Sequence, residues 1–97
     1  MHCKRIIISQ HAHDQMVDRD ISRDALLSVI EHGVVIEEYP HDPRGPSCLL
    51  LGYVGDSPLH VCLGVARAPE VCAVITAYVP DDDTWEPGFR TRKGGDT

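Results

Sequence analysis

Long apolar runs, an excess of basic charge and paired-cysteine motifs are all missing from this 97-residue chain. Its longest apolar runs are Val71-Cys72-Ala73-Val74-Ile75 and Cys48-Leu49-Leu50-Leu51. A helix needs roughly 18–20 apolar residues to cross a bilayer, so no membrane span is predicted. Lys4 and Arg5 precede only three isoleucines, too short a stretch for a secretory leader, and a cytoplasmic location is expected. Nine Lys and Arg stand against fifteen Asp and Glu, a net charge of −6. The global basic field of a typical nucleic-acid binder is therefore absent, because phosphate contacts are what release counterions. An anionic ligand would need a focused patch. The positive charge that clusters does so at the ends, at Lys4 and Arg5 and at Arg90, Arg92 and Lys93. The acidic groups gather at Asp14, Asp18, Asp20 and Asp24, at Glu37-Glu38 and at Asp81-Asp82-Asp83.

The four cysteines, Cys3, Cys48, Cys62 and Cys72, form no C-x-x-C pair. Their spacing fits neither a zinc ribbon nor a redox motif. Without a secretion signal, disulfides are not expected. All four read as small hydrophobes filling a core. His60 and Cys62 share a strand face, but two ligands do not make a metal site. No metal and no cofactor is expected.

Apolar residues make up 42% of the chain, enough for one small core, and residues 1–97 read as a single domain. Residues 3–8 read as a short β-branched strand. Ser9 caps a helix over about 10–19, with Ala12 and Met16 on its apolar stripe. Ser22 caps a second helix over about 23–32. There Asp24 favours the macrodipole, Ile21 and Leu26 form a hydrophobic staple, and Leu26, Val29 and Ile30 face the core. Gly33 suits a left-handed helix end. The period then changes to strands: Val34 to Tyr39, Cys48 to Val54, Leu59 to Arg67 and Val71 to Val79. Pro40 to Pro46, Gly55-Asp56 and Ala68-Pro69-Glu70 are the turns between them. The tail, residues 80–97, is either folded back through Trp85, Pro87 and Phe89 or partly mobile. The order β-α-α-β-β-β-β predicts an α+β domain, two N-terminal helices packed on one face of a four- to five-stranded antiparallel sheet.

Six histidines are the first place to look for a proton shuttle. His2, His13, His32 and His41 fall at surface positions. His11, Gln15 and Arg19 are spaced by four on a helix and share a stripe about 80° wide. Imidazole, amide and guanidinium on one face can orient an oxyanion; the plain alternative is a solvated polar face. His60 sits mid-strand in Leu59-His60-Val61-Cys62-Leu63, and its plain alternative is a core histidine with a hydrogen bond. Tyr78 falls opposite His60 if the Ala68 hairpin has an odd loop; an even loop would set His60 opposite Ala77.

The pattern His11-Ala12, Met16, Arg19-Asp20-Ile21-Ser22 continues through Gly33 to Pro40, Leu50-Leu51-Gly52 and Leu59-His60-Val61. It ends with Ile75-Thr76-Ala77-Tyr78-Val79-Pro80, Trp85, and Arg90 and Arg92 after Phe89. In that order and spacing, over about 9–93, the chain resembles a family of small bacterial domains of unknown function associated with RelE-like toxins of toxin–antitoxin pairs. Family members usually carry arginine where Gln15 stands and glycine where Asp20 stands.

The resemblance implies a RelE-like fold and a metal-independent endoribonuclease, a toxin held by a small zinc-finger-type antitoxin and acting on RNA, free or on the ribosome. Such cleavage needs a base for the 2′-hydroxyl, an acid for the leaving oxygen and a cation over the phosphorane. His11 and His60 would share the first two roles, with Tyr78 orienting a histidine or donating to phosphate. Arg19, Arg90, Arg92 and Gln15 would hold the phosphate, the arginines by guanidinium forks. Trp85 would stack a base. The alternative is a non-catalytic protein-binding module, or a degenerate toxin relative that only docks a partner.

Overall fold

The computed structural model describes residues 3–43, 45–65 and 71–94. Strand β1 spans Arg5–Ile8, helix α1 Gln10–Asp18, helix α2 Arg23–His32 and strand β2 Val34–Tyr39. Strands β3, β4 and β5 span Ser47–Val54, Ser57–Val65 and Val71–Tyr78. The class is α+β and the order is the one expected from the sequence. His2, Arg44, the strand end at Arg67, the Ala68-Pro69-Glu70 turn and the last three tail residues lie outside the described residues. Among the described residues, no helix is long and apolar enough to cross a membrane.

Both caps form as the residue types dictate. Ser9 Oγ accepts from Ala12 N at 3.1 Å, and Ser22 Oγ accepts from Ala25 N at 3.0 Å. Helix α1 ends at Asp20 in the left-handed region, φ 55°. The amides of Asp20 and Ile21 return to the Val17 and Met16 carbonyls, at 3.3 and 2.9 Å, a Schellman closure. Gly33 corrects the expectation of a left-handed helix end, since its φ is −69°. What requires glycine there is space: a Cβ would lie 2.5 Å from Val29 O and 2.9 Å from Leu51 O. The same crowding recurs at Gly52, whose Cβ would lie 2.8 Å from a Val29 methyl. Helix α2 can sit this low on β3 because neither position carries a side chain.

The five strands run β1-β5-β4-β3-β2 across one sheet. Three pairings are antiparallel, and β1 lies parallel to β5, which the sequence reading had not foreseen. Helix α1 packs on β5 and α2 on β3 and β4. Ala12, Met16, Leu26, Val29 and Ile30 meet Leu50, Val61, Leu63 and Val74 in the core between the layers. The cysteine reading is corrected. Cys3 and Cys72 form a disulfide with Cα atoms 5.8 Å apart, while Cys48 and Cys62 remain thiols. Parallel pairing of Ile6 with Cys72 brings the start of the chain beside β5, and this pairing could not be read from cysteine spacing.

Two bulges interrupt the ladders. Val65 pairs with Cys72 and Leu63 with Val74, but Cys62 pairs with Thr76, so Ile75 is left out. Val35 pairs with Leu50 and Glu37 with Leu49, leaving Ile36 out. Each extra residue flips the strand beyond it to the other face.

Candidate functional site

The sheet face away from the helices carries the polar cluster, and both bulges build it. Continued without the Ile75 bulge, the Val65↔Cys72 register would set His60 opposite Ala77. With it, His60 pairs with Tyr78. Without the Ile36 bulge, Glu37 would lie opposite Cys48 and turn toward the core. With it, Glu37 pairs with Leu49 and turns outward.

His60 is the centre and is 0% exposed. Its Nδ1 lies 3.1 Å from the Tyr78 hydroxyl and its Nε2 lies 2.8 Å from the Phe89 carbonyl oxygen. A carbonyl can only accept, so Nε2–H donates to Phe89 and, in the neutral ring, Nδ1 accepts from Tyr78. Burial holds the imidazole pKa below its ordinary value, helped by the Arg92 charge and opposed by the Phe89 carbonyl and Glu37. Burial also raises the Tyr78 phenol.

The segment after β5 folds across this face. Trp85 is 2% exposed and its indole meets the His60 ring edge-on, with centroids 4.4 Å apart. The Arg92 guanidinium lies over that indole, 4.5 Å from its centroid. The same guanidinium grips Glu37 with two hydrogen bonds, Nε to Oε2 at 3.1 Å and one terminal nitrogen to Oε1 at 3.2 Å. The Tyr39 hydroxyl donates to Glu37 as well. Burial pushes the Glu37 carboxyl up, but the bonds from Tyr39 and Arg92 outweigh it and hold the carboxyl below its ordinary value. Burial and the Glu37 bond push the Tyr39 phenol up to about 12. Phe89, which offers its carbonyl to His60, has φ 57°, a left-handed backbone that a bulky residue rarely adopts.

Of the residues singled out in the sequence, His60, Tyr78, Trp85 and Arg92 thus come together. His11 is exposed on α1, and no described contact joins it to His60. Gln15 serves the sheet edge: its Oε1 accepts from the Thr76 hydroxyl and from Ala77 N at 3.2 Å. Strand β1 ends at Ile8, so Ser9 and Gln15 continue the pairing along β5, Ser9 donating to the Ile75 carbonyl at 3.2 Å. Arg19 is exposed on the rim of a cavity of about 280 Å³ with Ile21, Ser22, Val54, Pro58 and Val79. Arg90 is exposed between two open cavities on the tail side, of about 570 and 410 Å³. The first also touches Glu37, Glu86 and Arg92; the second touches His32, Val34 and Tyr53. Glu37, Tyr39 and the Phe89 carbonyl were missed. Glu37 and Tyr39 stand two apart in a strand and share a face, a signal the sequence carried; the carbonyl has no sequence signal. Among the described residues no group of three or more His, Cys, Asp or Glu could hold a metal ion.

A family model for a domain of unknown function, DUF4258, matches residues 8–79. No curated protein and no solved structure matches the chain.

Proposed function

We propose, for a chain that belongs to the DUF4258 family of domains of unknown function, that it works as a non-catalytic protein-binding module. One observation carries the reading. The best-placed candidate base, His60, is sealed from solvent and both its ring nitrogens are engaged. A general base must reach the proton that it takes, and this ring has no free position to reach with. The surroundings support the same reading. Arg92 is neutralised by Glu37, Trp85 is covered, and His11, Arg19 and Arg90 make no cluster with His60. The net charge of −6 favours a protein partner over RNA. Half-exposed Val34 and Val35 on the edge strand β2, with Tyr53 nearby on β3, add apolar surface of the kind that partners cover.

A second reading is a RelE-like endoribonuclease toxin, active in the cytoplasm and restrained by a small antitoxin. It is favoured by the gathering of His60, Tyr78, Trp85 and Arg92 on one face, and it requires residues 81–94 to lift away. RNA integrity in cells after controlled induction separates the two, with His11→Ala/His60→Ala as the control. Intact RNA and undisturbed growth in both strains are expected. Growth arrest with new RNA ends in the wild type alone would replace the first reading by the second.

A further inference from the structure

We infer that the outer sheet face is a peptide-binding site, filled in this structure by residues 81–94 of the chain itself. The partner that it takes is a peptide loop with an indole and, seven residues later, a guanidinium folded back over it. This rests on the binding-module reading above and names where the module binds and what.

The seated segment has the properties of a ligand. Its described backbone hydrogen bonds close within itself: Trp85 N to Asp81 O at 3.2 Å, Glu86 N to Thr91 O at 2.8 Å, Phe89 N to Glu86 O at 2.9 Å and Lys93 N to Thr84 O at 2.9 Å. Trp85 and Arg92 are bridged across it, so it is a small loop with its own closure. It meets the sheet through discrete points. The indole sits on His60, the Phe89 carbonyl takes the His60 N–H, the Gly88 carbonyl takes the Tyr53 hydroxyl at 3.5 Å, and Arg92 enters the Glu37 carboxylate. The family match covers residues 8–79 and ends before this segment begins.

The receiving face is set up beforehand. Tyr39 fixes the Glu37 carboxylate from within β2, and Tyr78 fixes the His60 ring from β5. Each receptor thus has one orienting partner within the sheet beside the contacts it makes with the occupant. An aromatic anchor in a desolvated pocket with an arginine at its edge is the residue combination that dominates binding energy in protein interfaces. The occupant, in contrast, is held against a backbone preference at Phe89. A tethered segment enjoys a high effective concentration, so it masks the site from free peptide until it is weakened.

Hydrogen exchange on the intact wild-type chain gives the first test. The amides of Glu86, Phe89 and Lys93 should be at least about tenfold less protected than those of Leu50 and Val61, because the segment opens while the sheet stays closed. Equal protection would overturn the inference, since the segment would then be part of the core. The second test uses the full-length Trp85→Ala chain and a synthetic peptide of residues 81–94, whose indole is the only one in the mixture. The expected result is a saturable blue shift of the peptide's fluorescence, weakened at least about fivefold in Trp85→Ala/Glu37→Ala. A Trp85→Ala chain that keeps its circular dichroism and leaves the peptide's emission unshifted would overturn the inference, and so would one that loses its sheet. New RNA ends in induced cells would sink the binding-module reading without touching these readouts. Equal protection together with intact RNA would sink this inference alone.

Discussion

His60 and Tyr78 face each other across β4 and β5, with 3.1 Å between imidazole Nδ1 and the phenol oxygen, because Ile75 is left out of the ladder. The bulge converts a register that would have paired His60 with Ala77 into one that satisfies a buried ring. Each ring nitrogen then has a single partner, so losing either leaves a desolvated polar atom.

That arithmetic predicts the cost of Tyr78→Phe. The substitution keeps the ring's volume and removes only the hydroxyl that donates to His60. A buried acceptor left unpaired costs about 1–3 kcal/mol. Urea unfolding of Tyr78→Phe should show a loss near the middle of that range with an unchanged slope. Unchanged stability would mean that Nδ1 reaches another donor.

The same burial gives the chain a pH signature. The folded-state pKa of His60 is lowered, chiefly by burial, so the unfolded chain binds its proton more readily. Stability from this group is complete above the ordinary histidine value of 6.5 and falls as pH drops below it toward the folded value. The decline cannot exceed about 1.4 kcal/mol per pH unit, the limit for one proton. Glu37 and Asp81, whose values are also lowered, add their losses only below the ordinary carboxylate range. Urea unfolding between pH 7.5 and 5 should therefore show a slope in wild type that is strongly reduced in His60→Asn. A wild-type curve flat through that window would refute the assignment.

Much of this architecture was visible in the residues. Ser9 and Ser22 announced both helices, Ala12, Met16, Leu26, Val29 and Ile30 announced the buried stripes, and the strand runs lay within a residue or two of their observed limits. These features are local, and their periods repeat often enough to read. The site was only half legible. His60 and Trp85 stand out by type and position, but the bulges at Ile36 and Ile75 are single-residue offsets without a composition signal. The pairing of Glu37 with Arg92 joins residues 55 apart, and nothing local at either end specifies the other. The Cys3–Cys72 bond was missed for a related reason: it follows from β1 lying parallel to β5, a tertiary choice.

Asp20 offers a stabilising substitution. It occupies a left-handed position that glycine adopts without penalty, and it carries a negative charge one residue past the C-cap of α1, at the negative end of that helix. Asp20→Gly relieves both, offset by the greater freedom of glycine in the unfolded chain. A net gain of about 0.5–1 kcal/mol is expected in urea unfolding. A loss would show that the Asp20 side chain holds something more valuable than the strain it costs.

Gln15 separates two roles by the chemistry of its replacement. Its carbonyl oxygen accepts from the Thr76 hydroxyl and the Ala77 amide, where β5 has run past the end of β1. The position needs an acceptor. Gln15→Glu keeps the acceptor oxygen and should retain stability near neutral pH, with a carboxyl pKa drawn down by the bonds that it accepts. Gln15→Ala leaves the Ala77 amide without that partner and should cost about 1 kcal/mol. Gln15→Arg supplies donors only, so it should cost at least as much. Hydrogen exchange at the Ala77 amide distinguishes the outcomes. Protection retained in Gln15→Glu and lost in Gln15→Ala and Gln15→Arg identifies an edge seal, whereas protection unchanged in all three would leave Gln15 free to serve a ligand on the α1 stripe.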